Sequence, residues 1–347
     1  MIPILSNSDI KYYDSTITLK KDQISHAIAI NTENSYLLIS CQSYIEIYRI
    51  YEKQLRLIQQ INCHKRRVSS LCFFKSNRLF ISGSFDSYII LWSTALINRS
   101  KYLQKFIGHT QSISCILTRP IIEDLIISCS ADFSIKFWSQ QIENNQQWIC
   151  FQTIREHRNI VWGISINQQG SQVISCGEDK QILVMEQNQK PSSNWFVKQL
   201  IQVNQSGFRL CYINNNIFVF QPESSANLNI YTQNKNQEYI LTKNIQVLGE
   251  AQFCYPYFHS IYNYEKQILI NKNGYFLNII KFNNNIKESQ KFTQYHNDDL
   301  DIYAQTVQVI NFEDNYIFGT LSNDGQYLIT WNKLSKELQV SKYQENF

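Results

Sequence analysis

IISCSADFSIKFW, residues 126–138, decides the fold, because the chain writes the same phrase twice more. It returns as ISGSFDSYIILW at 81–92 and as ISCGEDKQILVM at 174–185. Each copy stands a fixed distance behind a histidine: His64 leads Asp86 and Trp92, His109 leads Asp132 and Trp138, and His157 leads Asp179 and Met185. The step from His to Asp is 22, 23 and 22 residues, and six more reach the last position in all three. A register held to within one residue over three copies marks one supersecondary unit used repeatedly.

Working outward, an apolar run follows each histidine (VSSLCFF at 68–74, ISCILT at 113–118, IVWGISI at 160–166). A polar turn, a β-rich run through a serine, an aspartate turn and an alternating run complete the unit, which therefore holds about four short strands. One such sheet buries too little to fold alone, so copies must pack face to face around an axis. With IGH at 107–109, SAD at 130–132 and FW at 137–138 as its best copy, the chain resembles the WD-repeat (WD40) β-propeller family. The resemblance implies buried hydrogen-bonded tetrads of His64, Ser82, Asp86 and Trp92, and of His109, Ser128, Asp132 and Trp138. A third set, His157, Ser175 and Asp179, lacks its tryptophan, because Met185 stands there. A His beside an Asp and a Ser also invites a catalytic triad. Recurrence at one repeat position reads instead as packing.

At a period of about 46 residues, the chain from Lys21 onward has room for about seven units. The expected fold is all-β: one seven-bladed propeller of four-stranded antiparallel blades over residues 1–347. The blades fall at about 24–61, 62–106, 107–154, 155–201, 205–243, 249–293 and 302–343, with Tyr48 in the tryptophan place of the first. In the seventh, LSNDGQYLITW sets Asp324 seven residues before Trp331, which reads as the repeat phrase with one bulged residue and either Asn323 or Asp324 in the Asp place. A ring left open would expose strand edges. Residues 11–19, KYYDSTITL, are one candidate closing strand, and the tail KELQVSKY is the other.

Composition supplies the core: 44% of residues are hydrophobic and 14% aromatic. Ten Gly and five Pro are few for so many turns, so Asn, Asp and Ser carry them, as in the runs 214–216 and 283–285. Nine Cys without a CxxC spacing fit a reducing compartment and no metal site, and no cofactor is called for. The start lacks the basic and apolar regions of a signal peptide, and no apolar run approaches a membrane span. The reading is a cytoplasmic or nuclear protein. A net charge of +4 with 32 scattered basic residues shows no nucleic-acid arm.

In the resembled family the loops entering each inner strand and the Asp turns share one rim, the top, which faces partners. Matched positions put Lys65, Arg66, Arg67 and Phe85 there in the second blade, and Arg158, Asn159, Trp162 and Glu178 in the fourth. Phe208 and Arg209 precede the fifth inner strand, Tyr255, Tyr257 and Phe258 the sixth, and Asp298, Asp299 and Asp301 the seventh. Arg and aromatic residues anchor protein interfaces; taken singly, each of these is also an ordinary solvated loop residue. The function expected is a non-catalytic scaffold, a subunit of a larger complex that binds proteins or peptides through its rim. Alternatives are an acidic or nucleic-acid partner on the basic arc, and a cytosolic iron–sulfur assembly targeting subunit, whose third-to-fourth blade junction WICFQTIREHRNIVWGIS (148–165) resembles. No GxSxG, HExxH or P-loop phrase supports an enzyme.

Overall fold

A computed structural model describes residues 12–51, 54–62, 64–75, 78–95, 101–141, 147–188, 194–250, 252–283 and 303–344. Its strands form seven antiparallel four-stranded sheets, the blades of a propeller. The first blade contains Ile28–Ile30 (β2), Tyr36–Cys41 (β3), Tyr44–Tyr51 (β4) and Gln54–Asn62 (β5); the second Val68–Phe73 (β6), Leu79–Ser84 (β7), Ile89–Ser93 (β8) and Gln104–Phe106 (β9). The third has Ile113–Thr118 (β10), Leu125–Ser130 (β11), Ile135–Gln141 (β12) and Gln147–Ile154 (β13); the fourth Val161–Ile166 (β14), Gln172–Gly177 (β15), Gln181–Gln187 (β16) and Trp195–Gln202 (β17). Arg209–Asn214 (β18), Ile217–Gln221 (β19), Asn227–Gln233 (β20) and Tyr239–Gln246 (β21) make the fifth; Ile261–Asn263 (β22), Ile268–Asn273 (β23), Phe276–Asn283 (β24) and Tyr303–Asn311 (β25) the sixth. The seventh joins Ile317–Leu321 (β26), Tyr327–Asn332 (β27) and Glu337–Tyr343 (β28) to Tyr13–Lys20 (β1).

Both candidate closing segments are therefore used, side by side. β28 is the third strand of the last blade and β1 the fourth, paired from Tyr13 with Tyr343 to Lys20 with Glu337. Tyr13 donates from its hydroxyl to the Gly325 carbonyl at 2.8 Å, and Trp331 Nε1–H to the Lys21 carbonyl at 3.1 Å, so side chains lock the seam as well. Residue 11 of the expected strand lies outside the described residues.

The blades explain where the core sits. Middle strands are covered on both faces, β7 and β11 almost throughout, so they carry apolar residues with small serines whose hydroxyls are hydrogen-bonded. Outer strands such as β5 alternate and face solvent. The buried apolar residues group between neighbouring blades. Phe80 and Trp92 pack with Leu38 and Ile47 across blades one and two, for example, and Phe318 and Trp331 with Ile39 and Tyr48 across seven and one.

Two expectations are corrected. Residues 303–311 were expected in the seventh blade, but they pair with β24 as the outer strand of the sixth. LSNDGQYLITW is one strand out of step: Asp324 lies in the turn between the first and second strands of its blade, and Trp331 on the second. In the three clear repeats the Asp turn joins the second and third strands. Asp324 caps its hairpin by accepting from Ser322 Oγ–H at 2.6 Å and Gln326 N–H at 3.0 Å, so the phrase follows the chemistry of any tight Asx turn.

Candidate functional site

The three recurrent histidines sit where the chain enters an inner strand, and each reaches its own blade's Asp turn. His109 Nδ1–H donates to Asp132 Oδ2 at 2.8 Å, Ser128 Oγ–H donates to His109 Nε2 at 2.8 Å, and Trp138 Nε1–H donates to Ser128 Oγ at 2.9 Å. His64 repeats this with Asp86 (3.0 Å), Ser82 (2.9 Å) and Trp92 (3.0 Å). His157 reaches Asp179 at 2.9 Å and Ser175 at 2.8 Å, but the buried Met185 gives Ser175 no indole donor. With the aspartate accepting at Nδ1 and the serine hydroxyl donating at Nε2, each histidine is held as the Nδ1–H tautomer and each serine proton is spent within the blade. The aspartates also accept the next backbone N–H, from Lys65, Thr110 and Arg158. Burial alone would raise these carboxyls, but hydrogen bonds from and proximity to the histidines outweigh it: Asp86 falls to about 2, and Asp132 and Asp179 fall below the usual carboxylate range. Burial lowers His109 and keeps it neutral.

The same turns demand a left-handed residue after each aspartate. Ser87, Phe133 and Lys180 hold it at φ of 72°, 66° and 61°. With few glycines available, L-residues carry the strain, and Asp Oδ1 accepts the N–H two residues on, from Tyr88, Ser134 and Gln181, to hold it.

The expected rim residues divide into two groups. Lys65, Arg66, Arg67 and Arg158 are exposed, with Phe85, Asn159, Trp162 and Glu178 half-buried beside them. Trp162 Nε1–H donates to Glu178 Oε2 at 2.8 Å. Clefts of about 400 and 500 Å³ flank the basic run. One lies against Gln42 and Ser43 of the first blade, the other against Tyr88 and Thr110–Ser112; sequence reasoning missed these residues because no repeat position marks them.

The second group turns inward. Phe208, Arg209 and Phe258 are buried, contrary to their expected place on an exposed rim. Tyr257 meets the rings of His26, Phe85 and Trp162 at 5.7, 5.5 and 6.3 Å. Only a position near the ring axis can touch blades one, two and four together, so the segment before β22 plugs the top mouth. Arg209 clamps this plug, donating from Nε to the Phe258 carbonyl at 2.6 Å and from its terminal nitrogen to those of Tyr255 and Pro256. The buried Lys272 donates to the Asn315 carbonyl at 2.8 Å and to that of Tyr255 at 3.3 Å. Asp298, Asp299 and Asp301 lie outside the described residues, in the stretch between the third and fourth strands of the sixth blade rather than ahead of an inner strand. Among the described residues no group of three or more His, Cys, Asp or Glu is placed to hold a metal ion, and no helix is long and apolar enough to cross a membrane.

Comparison with known proteins agrees with this geometry. A family model described as WD domain, G-beta repeat matches residues 55–93, 100–139 and 148–184, the stretch of the three His–Asp sets. The chain is 29% identical over 122 residues to an intraflagellar transport protein 122 homolog of Danio rerio, covering 35% of this chain and 10% of that protein. It is 29% identical over 113 residues to a WD repeat-containing protein 26 homolog of Drosophila melanogaster, 32% of this chain and 17% of that one. With protein transport protein SEC13 of Chaetomium globosum it shares 25% over 118 residues, 33% and 40% respectively. The match thus spans a tenth to two fifths of these relatives' lengths. Three stretches of the chain thus match WD40 repeats, and they lie within a propeller of seven four-stranded blades.

Proposed function

We propose that this propeller is a non-catalytic scaffold that binds a protein partner through the open half of its top rim, around Lys65, Arg66, Arg67 and Arg158. One observation carries the reading: the three recurrent aspartates are hydrogen-bonded to histidines within their own blades, while these four cations remain exposed, and none of the four forms an ion pair among the described residues. Unpaired Arg beside half-buried Phe85 and Trp162 is the composition that anchors interfaces. The relatives' names, intraflagellar transport and protein transport, support a role within protein assemblies. The chemistry favours an acidic segment as the partner's contact.

The test is charge reversal. Arg66→Glu combined with Arg67→Glu should leave thermal melting unchanged while removing a defined set of proteins from those that co-purify with the wild type. An unchanged set would overturn the rim assignment. Loss of bound nucleic acid instead of protein, with a steep salt dependence, would replace the protein partner by a polyanion.

A further inference from the structure

We infer that the opposite, bottom face carries a second binding site, between blades one and two, for a ligand bearing a phosphate group. A cavity of about 410 Å³ lies there, within the size range of small-molecule sites. Its wall holds three cations, Arg49, Lys75 and Arg78, against a single carboxylate, Glu33. All three cations are exposed, and none forms an ion pair among the described residues. Arg49 stacks at 5.9 Å from both Tyr36 and Tyr51, which holds its planar head in place with its N–H groups available. Counting the Glu123 carboxylate that lies behind Lys75, the wall stays net positive, which suits an anion, and guanidinium forks fit a phosphate's oxygens in pairs.

The wall is fixed before any ligand arrives. Asn31 Oδ1 accepts from the Ser35 and Tyr36 N–H groups at 2.9 and 2.8 Å, closing the first blade's hairpin. Thr32 Oγ–H donates across to the Lys75 carbonyl at 3.3 Å, and the buried Glu123 of the third blade accepts the Lys75 N–H. Phe73 and Phe74 are buried behind the cations and keep the floor apolar. This site is independent of the top rim, and its failure would leave the rim reading untouched.

Inorganic pyrophosphate is the probe, with binding followed by calorimetry. The full chain should bind it, and Lys75→Glu combined with Arg78→Glu should weaken binding by at least about tenfold, since each charge-assisted bond is worth that order. Both positions are exposed, so melting should not change. Arg66→Glu on the top rim should leave binding intact. No binding, or equal weakening by the top and bottom variants, would overturn the site as diffuse attraction. Vesicles carrying a phosphoinositide form the second arm. Capture reversed by pyrophosphate assigns the phosphate to a lipid headgroup, and pyrophosphate binding without capture assigns it to a soluble ester.

Discussion

Blades two to four and blades five to one solve the same problem with different chemistry. Each inner strand must be tied to its own sheet at the top. In the second, third and fourth blades one His–Ser–Asp set does this at spacings equal to within one residue. In the fifth and sixth the work passes to buried Arg209 and Lys272, which hold the carbonyls of the plug segment, and to the Gln221–Asn271–Ser260 bonds at 2.9 and 2.7 Å. In the first, Glu46 gathers Lys21, Tyr48 and Gln60. Propeller geometry therefore constrains the place of a fastener more tightly than its identity, and only the repeated version announces itself in sequence.

The largest break is expected at the indoles. Trp138→Ala in the repeated region and Trp331→Ala at the seam should each cost roughly 3–5 kcal/mol, because both are buried against other rings, Trp331 stacked on Phe318 and Trp138 tilted against Phe106. Comparable losses in denaturant titration would show that the irregular half is as tightly built as the regular one. Ser128→Ala should cost about 1 kcal/mol more than Ser175→Ala, since it strands both His109 and Trp138 whereas the fourth blade loses one partner.

Protonation separates the same regions. Burial, then the Arg67 charge, lowers His26 to about 4, and its Nδ1 has no hydrogen-bond partner. A histidine lowered on folding stabilises above its unfolded value near 6.5 and loses that contribution as pH falls towards 4. Melting temperature should drop over this window by an amount on the order of 3 kcal/mol in stability, and His26→Leu should flatten the drop. The lowered tetrad aspartates contribute above about 4 and give way only as pH falls towards 2. The smallest effect sharpens the turn argument: Lys180→Gly should raise stability by up to about 1 kcal/mol by removing a left-handed L-residue.

Blades two to four were legible because anchors recur where chance would scatter them. The seventh was misread by one strand because Ser322, Asp324 and Trp331 satisfy local rules that serve a first hairpin as well as a second. Phe208 and Arg209 were placed on the rim by their position before an inner strand, yet no local pattern states whether such a segment leans out or plugs the axis. Lys272 carried no signal at all, since a lone lysine in INKNG reads as solvated until the Asn315 carbonyl is found beside it.

The central claim, that the recurrent histidines and aspartates are internal fasteners and recognition belongs to the exposed cations, is tested most directly by measuring melting temperature and partner retention side by side for Asp132→Ala and Arg66→Glu. The account predicts that Asp132→Ala lowers melting while the protein, held below its transition, keeps its partner, and that Arg66→Glu does the reverse. Partner loss from folded Asp132→Ala with unchanged melting would contradict it.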